Sequence, residues 1–175
     1  VSPDKQIYHC FGCKHGGGVI SFIMEIENLS FPDAVRFLAK RANMEVPDDG
    51  ADREASRRRQ RILELNREAA RWFYQTLSTP AGAAVAAYLD KRQITRKTAV
   101  SFGLGAAPDS WDSLLTAMIR KGYSKEELLA AGLVVQNKQG RLYDKFRNRL
   151  MFPVIDVRGD VVAFGGRVLD KSEPK

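Results

Sequence analysis

The sequence predicts an α+β protein, in which a cysteine turn with packed helices precedes a mostly helical segment that ends in a small sheet. Three observations predict this class. Cys10 and Cys13 form a Cys-x-x-Cys turn near the amino terminus. Apolar residues then recur at helical spacing as far as about residue 130. From Leu133 onward, short apolar runs alternate with turn-forming residues, as they do in hairpins.

The composition is that of an ordinary globular protein with a surplus of basic residues. Of its 175 residues, 44% are hydrophobic and 28% are charged, and the formal net charge is +7. This surplus favours nucleic acid, nucleotides or a membrane surface as partner, without choosing among them. Because no run of roughly 20 apolar residues and no secretory signal is present, we expect a cytoplasmic protein. The chain starts with Val1 and stops at Lys175 without a closing element, so we expect it to be a fragment of a longer polypeptide.

The cysteine turn is the first candidate site. Thiolates at this spacing form half of a tetrahedral zinc site. Since the chain holds 2 cysteines in all, the other ligands would come from upstream sequence, from His9 or His15, or from another molecule. A redox pair would instead open a helix directly, and a structural disulfide is disfavoured in the cytosol. The glycines at 16–18 separate the turn from the next helical pattern, which favours the zinc knuckle over both alternatives.

Two helices follow the knuckle. The first carries its apolar residues at i, i+3, i+4 and i+7, and these are Val19, Phe22, Ile23 and Ile26. Ser30 and Asp33 form a capping-box pattern that starts the second helix. Its predicted inner face consists of Phe31, Val35, Leu38 and Ala42. Residues 44–51 contain Pro47 and Gly50, which break helices, so we interpret this stretch as a linker.

An arginine-rich helix is predicted after the linker. Its basic residues are Arg53, Arg57, Arg58, Arg59, Arg61, Arg67 and Arg71. Such a run indicates either a solvated helix face or a nucleic-acid contact. Trp72 and Phe73 lie on the apolar stripe of the same helix, which predicts that they belong to the core.

Shorter elements follow in order. Pro80 starts a helix that runs to about Lys91, and Thr95 opens another. Residues 102–107 have the pattern of a strand. Ser110 is predicted to cap a helix whose inner stripe begins at Trp111.

The last helix and the hairpins complete the pattern. Ser124 and Glu127 form a capping box, and Gly132 ends that helix. Residues 133–136 turn at 137–140 into residues 141–146. Residues 150–155 are apolar on both alternating faces, as in a strand buried on two sides. We interpret the Arg-Gly-Asp sequence at 158–160 as a hairpin turn rather than a cell-adhesion signal.

Three arginines surround this apolar run and should not be buried without partners. They are Arg147, Arg149 and Arg167. We expect the strands to hold them as one ridge at the rim of a groove for a polyanion. The alternative is that Arg147 and Arg149 pair with Asp144 and Asp156 at strand ends.

Several motifs together resemble the bacterial replicative DNA primase family, whose members lay down RNA primers for replication. They are YHCFGC at 8–13, the SFIM helix, FRNRLMFPV at 146–154 and VVAFGGRV at 161–168, in this order. The resemblance implies that residues 1–43 are the carboxy-terminal part of a zinc ribbon and that residues 52–175 are the amino-terminal subdomain of the RNA polymerase core. Residues 44–51 would link the two.

The resemblance also implies metals and site residues. Cys10 and Cys13 match the second ligand pair of a structural Zn²⁺, whose first Cys-x-x-His pair would lie upstream of this chain. The carboxylates that hold the catalytic Mg²⁺ or Mn²⁺ lie in a later Toprim subdomain, so no catalytic residue is assigned here. The predicted contacts to template or nucleotide phosphates are Arg147, Asn148, Arg149, Arg167 and Lys175. Arginine suits this work because its planar fork binds phosphate in two places.

The implied partners are a single-stranded DNA template, ribonucleoside triphosphates and a replicative helicase, with no membrane. In the family, the helicase contact lies in a carboxy-terminal domain, which we expect to lie outside this chain. A non-catalytic zinc-ribbon module that binds single-stranded DNA is the alternative.

Overall fold

The structure is a computed structural model that describes residues 1–46 and 50–169. The chain divides into two compact units, residues 1–56 and 57–175. Lys175 and residues 47–49 of the expected linker lie outside the described residues.

The first unit is built on a two-stranded ribbon. Strand β1, Ile7–His9, pairs antiparallel with β2, Gly16–Gly18, and helices α1, Val19–Ile26, and α2, Phe31–Arg41, follow. The glycines, predicted only to separate the knuckle from a helix, form β2. A Cβ atom on Gly16 would lie 2.7 Å from the Tyr8 carbonyl oxygen, so glycine is the residue that permits this pairing.

Helix α2 starts where its capping pattern predicts. The Asp33 backbone N–H donates to the Ser30 hydroxyl at 3.4 Å. The predicted inner face is wrong for Phe31 and Ala42, which are exposed, whereas Val35 and Leu38 are half-buried. Ala34 and Ala39 are the buried residues of α2. Small alanines let α2 approach its neighbours closely, and the apolar pattern alone does not distinguish this face from the one beside it.

The second unit contains most of the helices and the larger sheet. Helix α3, Gly50–Thr76, begins within the stretch interpreted as linker, and the boundary between the two units falls inside it. The following elements are a 3-10 turn at Pro80–Gly82, α4 at Ala83–Lys91, α5 at Arg96–Ser101, β3 at Gly105–Ala107, α6 at Ser113–Arg120, α7 at Lys125–Ala130, β4 at Val134–Gln136, β5 at Leu142–Asp144, β6 at Arg149–Ile155 and β7 at Val161–Val168. Strands β3, β6 and β7 form an antiparallel sheet with β6 in the centre, and β4 and β5 form a separate hairpin.

Strand β6 lies between two apolar cores. Met151 joins the core formed with α3, α6 and α7, whereas Leu150 joins the core formed with α4 and α5. The close contact of β3 with α3 depends on Gly105, because a Cβ there would lie 2.6 Å from Phe73. The prediction of burial on both faces is therefore confirmed for Leu150 and Met151. It is wrong for Phe152, Val154 and Ile155, which are exposed.

The start of α6 differs from the prediction. The helix begins at Ser113 and not directly after Ser110, and its first N–H groups donate to a carboxylate from β5. Asp144, which is 1% exposed, accepts from the Leu114 N–H at 2.8 Å and from the Leu115 N–H at 2.9 Å. Burial raises the pKa of Asp144, and these two N–H groups oppose that shift. Trp111 therefore precedes the helix, and it is exposed instead of belonging to the inner stripe.

The other predicted caps and turns are confirmed. Thr95 caps α5, and Ser124 with Glu127 forms a complete capping box at α7. In the hairpin turn, Asp156 accepts the backbone N–H groups of Arg158 and Asp160 at 2.9 and 3.0 Å, which agrees with the turn interpretation. Among the described helices, none is long and apolar enough to cross a membrane.

Candidate functional site

The cysteine turn lies between β1 and β2. Cys10 and Cys13 are both exposed and free of disulfides. The Cys10 N–H donates to the His15 carbonyl at 2.7 Å, and the Lys14 N–H donates to the Cys10 carbonyl at 2.9 Å. Hydrogen bonds from Cys13, its backbone N–H first, and from the Gly12 N–H lower the pKa of the Cys10 thiol. The turn therefore favours the thiolate that binds metals, and it joins two strands instead of opening a helix as a redox pair would.

The nearby histidines contact other groups. His15 Nε2 lies 3.4 Å from Glu25 Oε1, and the His9 ring packs edge-on against Phe11 with centroids 5.1 Å apart. Within residues 1–46 and 50–169, no group of three His, Cys, Asp or Glu side chains could hold a metal ion. The described part of the chain thus offers the two cysteines as half of a zinc site.

The three arginines near the apolar strand do not form the single ridge expected from the sequence. Arg149 is paired with Val168 across β6 and β7, and Leu150 is paired with Arg167. Cross-strand partners share a face and successive residues alternate between faces. Arg167 therefore lies on the Leu150 face of the sheet, and Arg149 lies on the opposite face.

Arg167 and Arg92 both donate a hydrogen bond to the hydroxyl oxygen of Tyr88. The Arg167 Nε donates to the Tyr88 hydroxyl at 2.7 Å, and the Arg92 Nε donates to the same oxygen at 3.1 Å. Burial alone would raise the pKa of Tyr88, but the hydrogen bonds and charges of the two arginines lower it overall. In the part of the chain that the structure describes, neither arginine has a carboxylate partner.

Sequence reasoning missed Tyr88 and Arg92. They lie four residues apart at the end of α4, which places them on one side of the helix. That spacing is visible in the sequence, but nothing in it indicates that Arg167, distant along the chain, joins them.

Arg147 lies on a third surface. Its guanidinium carbon is 4.3 Å from the centre of the Trp111 ring and 5.4 Å from that of Tyr143, and its Nη1 donates to the Asp144 carbonyl at 2.7 Å. The alternative that Arg147 pairs with the Asp144 side chain is wrong, because that carboxylate caps α6.

Asn148 and Arg149 shape the start of β6. Asn148 has a φ of +46°, a left-handed conformation that asparagine tolerates better than most residues, and its N–H donates to the Pro108 carbonyl at 3.1 Å. Arg149 extends across β7, with its Nη1 3.5 Å from the Gly166 carbonyl.

Several arginines of α3 have carboxylate partners within the second unit. Arg61 pairs with Glu127 at 3.0 Å, Arg67 pairs with Asp160 at 2.9 Å, and Arg71 pairs with Glu68. The first two pairs tie α3 to α7 and to the β6–β7 turn. For the other arginines of the run, a nucleic-acid contact stays a prediction.

Comparison with known proteins gives two family matches. The family described as "CHC2 zinc finger" matches residues 1–54, and the family described as "DNA primase catalytic core, N-terminal domain" matches residues 72–175. The DNA primases of Clostridium acetobutylicum and Pseudomonas aeruginosa are 47% and 45% identical to this chain over 100% of its length. The chain spans 29% and 27% of their lengths, respectively.

Solved structures give the same likeness. A DnaG primase catalytic domain bound to single-stranded DNA is similar with a TM-score of 0.63 and 39% identity, over 69% of this chain and 39% of that one. The Aquifex aeolicus primase, with its zinc-binding and RNA polymerase domains, is similar over 100% of this chain and 41% of that one, with a TM-score of 0.58 and 28% identity. The predicted α+β class is thereby confirmed, and the zinc-finger match supports zinc binding.

Proposed function

The chain belongs to the bacterial DNA primase family, and from that premise we propose that it is the part of a DNA-dependent RNA polymerase that binds the phosphates of template and nucleotide. The reaction is the synthesis of short RNA primers on single-stranded DNA, and ribonucleoside triphosphates are its substrates. The observation that carries the proposal is the meeting of Arg92 and Arg167 at Tyr88. Two cations held together without a carboxylate form a site for a phosphate.

For the first unit, we propose that Cys10 and Cys13 hold a structural Zn²⁺ with two further ligands from outside this chain. When bound, zinc would fix the β1–β2 turn. The exposed thiols and the lowered pKa of Cys10 fit this role. The division into residues 1–43, 44–51 and 52–175 remains part of the same proposal.

For the chemistry, we propose that Mg²⁺ or Mn²⁺ is held by carboxylates of a Toprim subdomain outside this chain. The 175 residues alone should then bind single-stranded DNA and polymerise nothing. Contact with a replicative helicase and a phosphate contact at Lys175 belong to the same proposal.

The proposal is tested by the salt dependence of single-stranded DNA binding. Replacing Arg92, Arg147 and Arg167 together by glutamine should flatten the slope of log affinity against log salt by about 2, since each phosphate contact contributes about 0.7. Oligo(dT) and fluorescence anisotropy give the measurement.

A matched variant controls for the loss of net charge. It replaces three exposed basic residues on other elements by glutamine, namely Arg96, Arg120 and Lys138. Its slope should equal that of the unchanged chain. If the first variant also keeps the full slope, Arg92, Arg147 and Arg167 are structural residues and the proposed binding of phosphates is wrong.

A further inference from the structure

Gly165 is a glycine that the fold does not require. The other described glycines of the second unit each have a structural reason, because they either have a positive φ or would bring a Cβ atom against a neighbour. Gly166 belongs to the latter group, since a Cβ atom there would lie 3.0 Å from both Arg149 Cδ and Phe146 Cδ1. Among the described residues, a Cβ atom on Gly165 would meet only the Cβ atom of Phe152, at an ordinary 3.9 Å.

A glycine inside a strand weakens the sheet, so one that packing does not demand needs another reason. Glycine loses more conformational freedom on folding than other residues and offers no side chain to pack. Gly165 lies in the interior of β7 and is paired with Phe152 of β6. A common reason for a glycine in such a place is that a ligand approaches the backbone closely.

The open position lies beside the two arginines that share one phenol oxygen. Gly165 and Arg167 are two residues apart in β7, so they face the same side of the sheet, about 7 Å apart along the strand. On this side, Arg167 and Arg92 both donate to the Tyr88 hydroxyl. Phe152, which is 37% exposed, borders the open position across the sheet. The sheet therefore places two cations, a bare stretch of backbone and an apolar ring side by side.

We propose that Gly165 gives a nucleotide room to lie against β7, with a phosphate at Arg92 and Arg167 and the sugar over the Gly165 backbone. This inference rests on the proposed function and adds to it a residue that admits the ligand because it has no side chain. The same sugar–phosphate unit occurs in a free ribonucleoside triphosphate and in a DNA strand, and experiment distinguishes the two sources. A protein segment at this position would leave both arginines without the anion that their arrangement favours.

The test adds a side chain at Gly165. Gly165→Ala and Gly165→Val should both weaken binding, and valine should do so more strongly, because each added carbon fills space that the nucleotide occupies. For Gly165→Val we expect a loss of affinity of roughly 5- to 150-fold, which is the size of effect that forced overpacking has. Fluorescence anisotropy measures the affinity for two probes, a labelled oligo(dT) and a labelled ATP.

Folding stability separates this role from a structural one. The urea midpoint of Gly165→Ala should equal or exceed that of the unchanged chain, because alanine loses less conformational freedom on folding than glycine. Gly166→Ala should lower the midpoint, because its Cβ atom would press on two neighbouring side chains. Ala163→Val is the matched control for binding. Ala163 is exposed on the same side of the sheet, two residues farther from Arg167, and its enlargement should leave the affinity for both probes unchanged.

The outcomes separate this inference from the proposed function. Weaker binding of one probe alone would support the inference and identify the nucleotide as free or as part of a strand. Unchanged affinity for both probes in Gly165→Val, or a midpoint of Gly165→Ala as low as that of Gly166→Ala, would overturn the inference and leave the salt-slope test of the arginines intact. Failure of the unchanged chain to bind either probe would overturn both. Should Gly165→Val not fold, as judged by circular dichroism, Gly165→Ala decides the question.

Discussion

Tyr88 holds Arg92 and Arg167 at one oxygen atom, and this contact makes a prediction about pH. The two arginines lower the pKa of Tyr88 against the effect of its burial. An ordinary tyrosine has a pKa of about 10, so the Tyr88 phenolate should form at a lower pH than that. The pKa of Tyr88 is lower in the folded state than in the unfolded state. The contact of its phenolate with the two arginines should therefore stabilise the fold increasingly as pH rises from the folded-state pKa to the unfolded-state pKa. Absorbance at 295 nm during a pH titration measures the phenolate.

Two variants identify the titrating residue. Tyr88→Phe should remove the earliest part of the absorbance rise and should weaken binding of single-stranded DNA, because Arg167 loses its anchor. Tyr123→Phe is the control, since burial raises the pKa of Tyr123 and its loss should affect only the late part of the rise. An unchanged early rise in Tyr88→Phe would show that the two arginines do not act on this phenol.

At the scale of elements, the hairpin of β6 and β7 explains why the arginine ridge was predicted wrongly. Ile155 is paired with Val161, and an unbroken ladder from there would put Arg149 opposite Arg167 on one face. A bulge intervenes, because Val154 is paired with Ala163 and Val162 has no partner in this register. One extra residue transfers every later side chain to the other face. The strands themselves could be predicted from the sequence, but alternation alone does not indicate the bulge.

Helix α6 depends on a carboxylate from another element, and this can be tested. Asp144→Ala should lower the free energy of unfolding by at least about 2 kcal/mol, since it leaves two N–H groups without partners at about 1–3 kcal/mol each. Asp112→Ala is the matched control, because Asp112 occupies the capping position but makes no side-chain cap. It should change stability by no more than about 0.5 kcal/mol. Urea unfolding measures both, and equal losses would contradict the assignment.

For the whole molecule, the sequence best predicts those features, such as helix caps, that are determined by residues close together along the chain. The caps of α2, α5 and α7 follow from residues three positions apart, and each is confirmed. The cap of α6 and the position of Trp111 depend on Asp144, some thirty residues away, and both were predicted wrongly. The same holds for the candidate site. Sequence motifs identify Arg147 and Arg167, whereas the role of Tyr88 and Arg92 is visible only in the structure, where elements distant along the chain are in contact.

The division into two units predicts how the chain responds to zinc. The described residues supply Cys10 and Cys13 as ligands in the first unit, and both tryptophans lie in the second. Zinc should therefore bind this chain far more weakly than a four-ligand structural site, for which binding is worth about 10–16 kcal/mol. A chelating dye such as 4-(2-pyridylazo)resorcinol should remove it, and Cys10→Ser with Cys13→Ser should abolish binding. The urea unfolding curve followed by tryptophan fluorescence should not change when zinc is added or removed.

Replacing His9 and His15 together by alanine is the matched control for the ligands. His15 lies against Glu25 and His9 against Phe11, so their loss should leave the weak zinc affinity unchanged. Zinc that resists the dye in the unchanged chain and is lost in this variant would show that an imidazole completes the site. The two further ligands would then come from this chain, and the proposal that they lie outside it would be wrong.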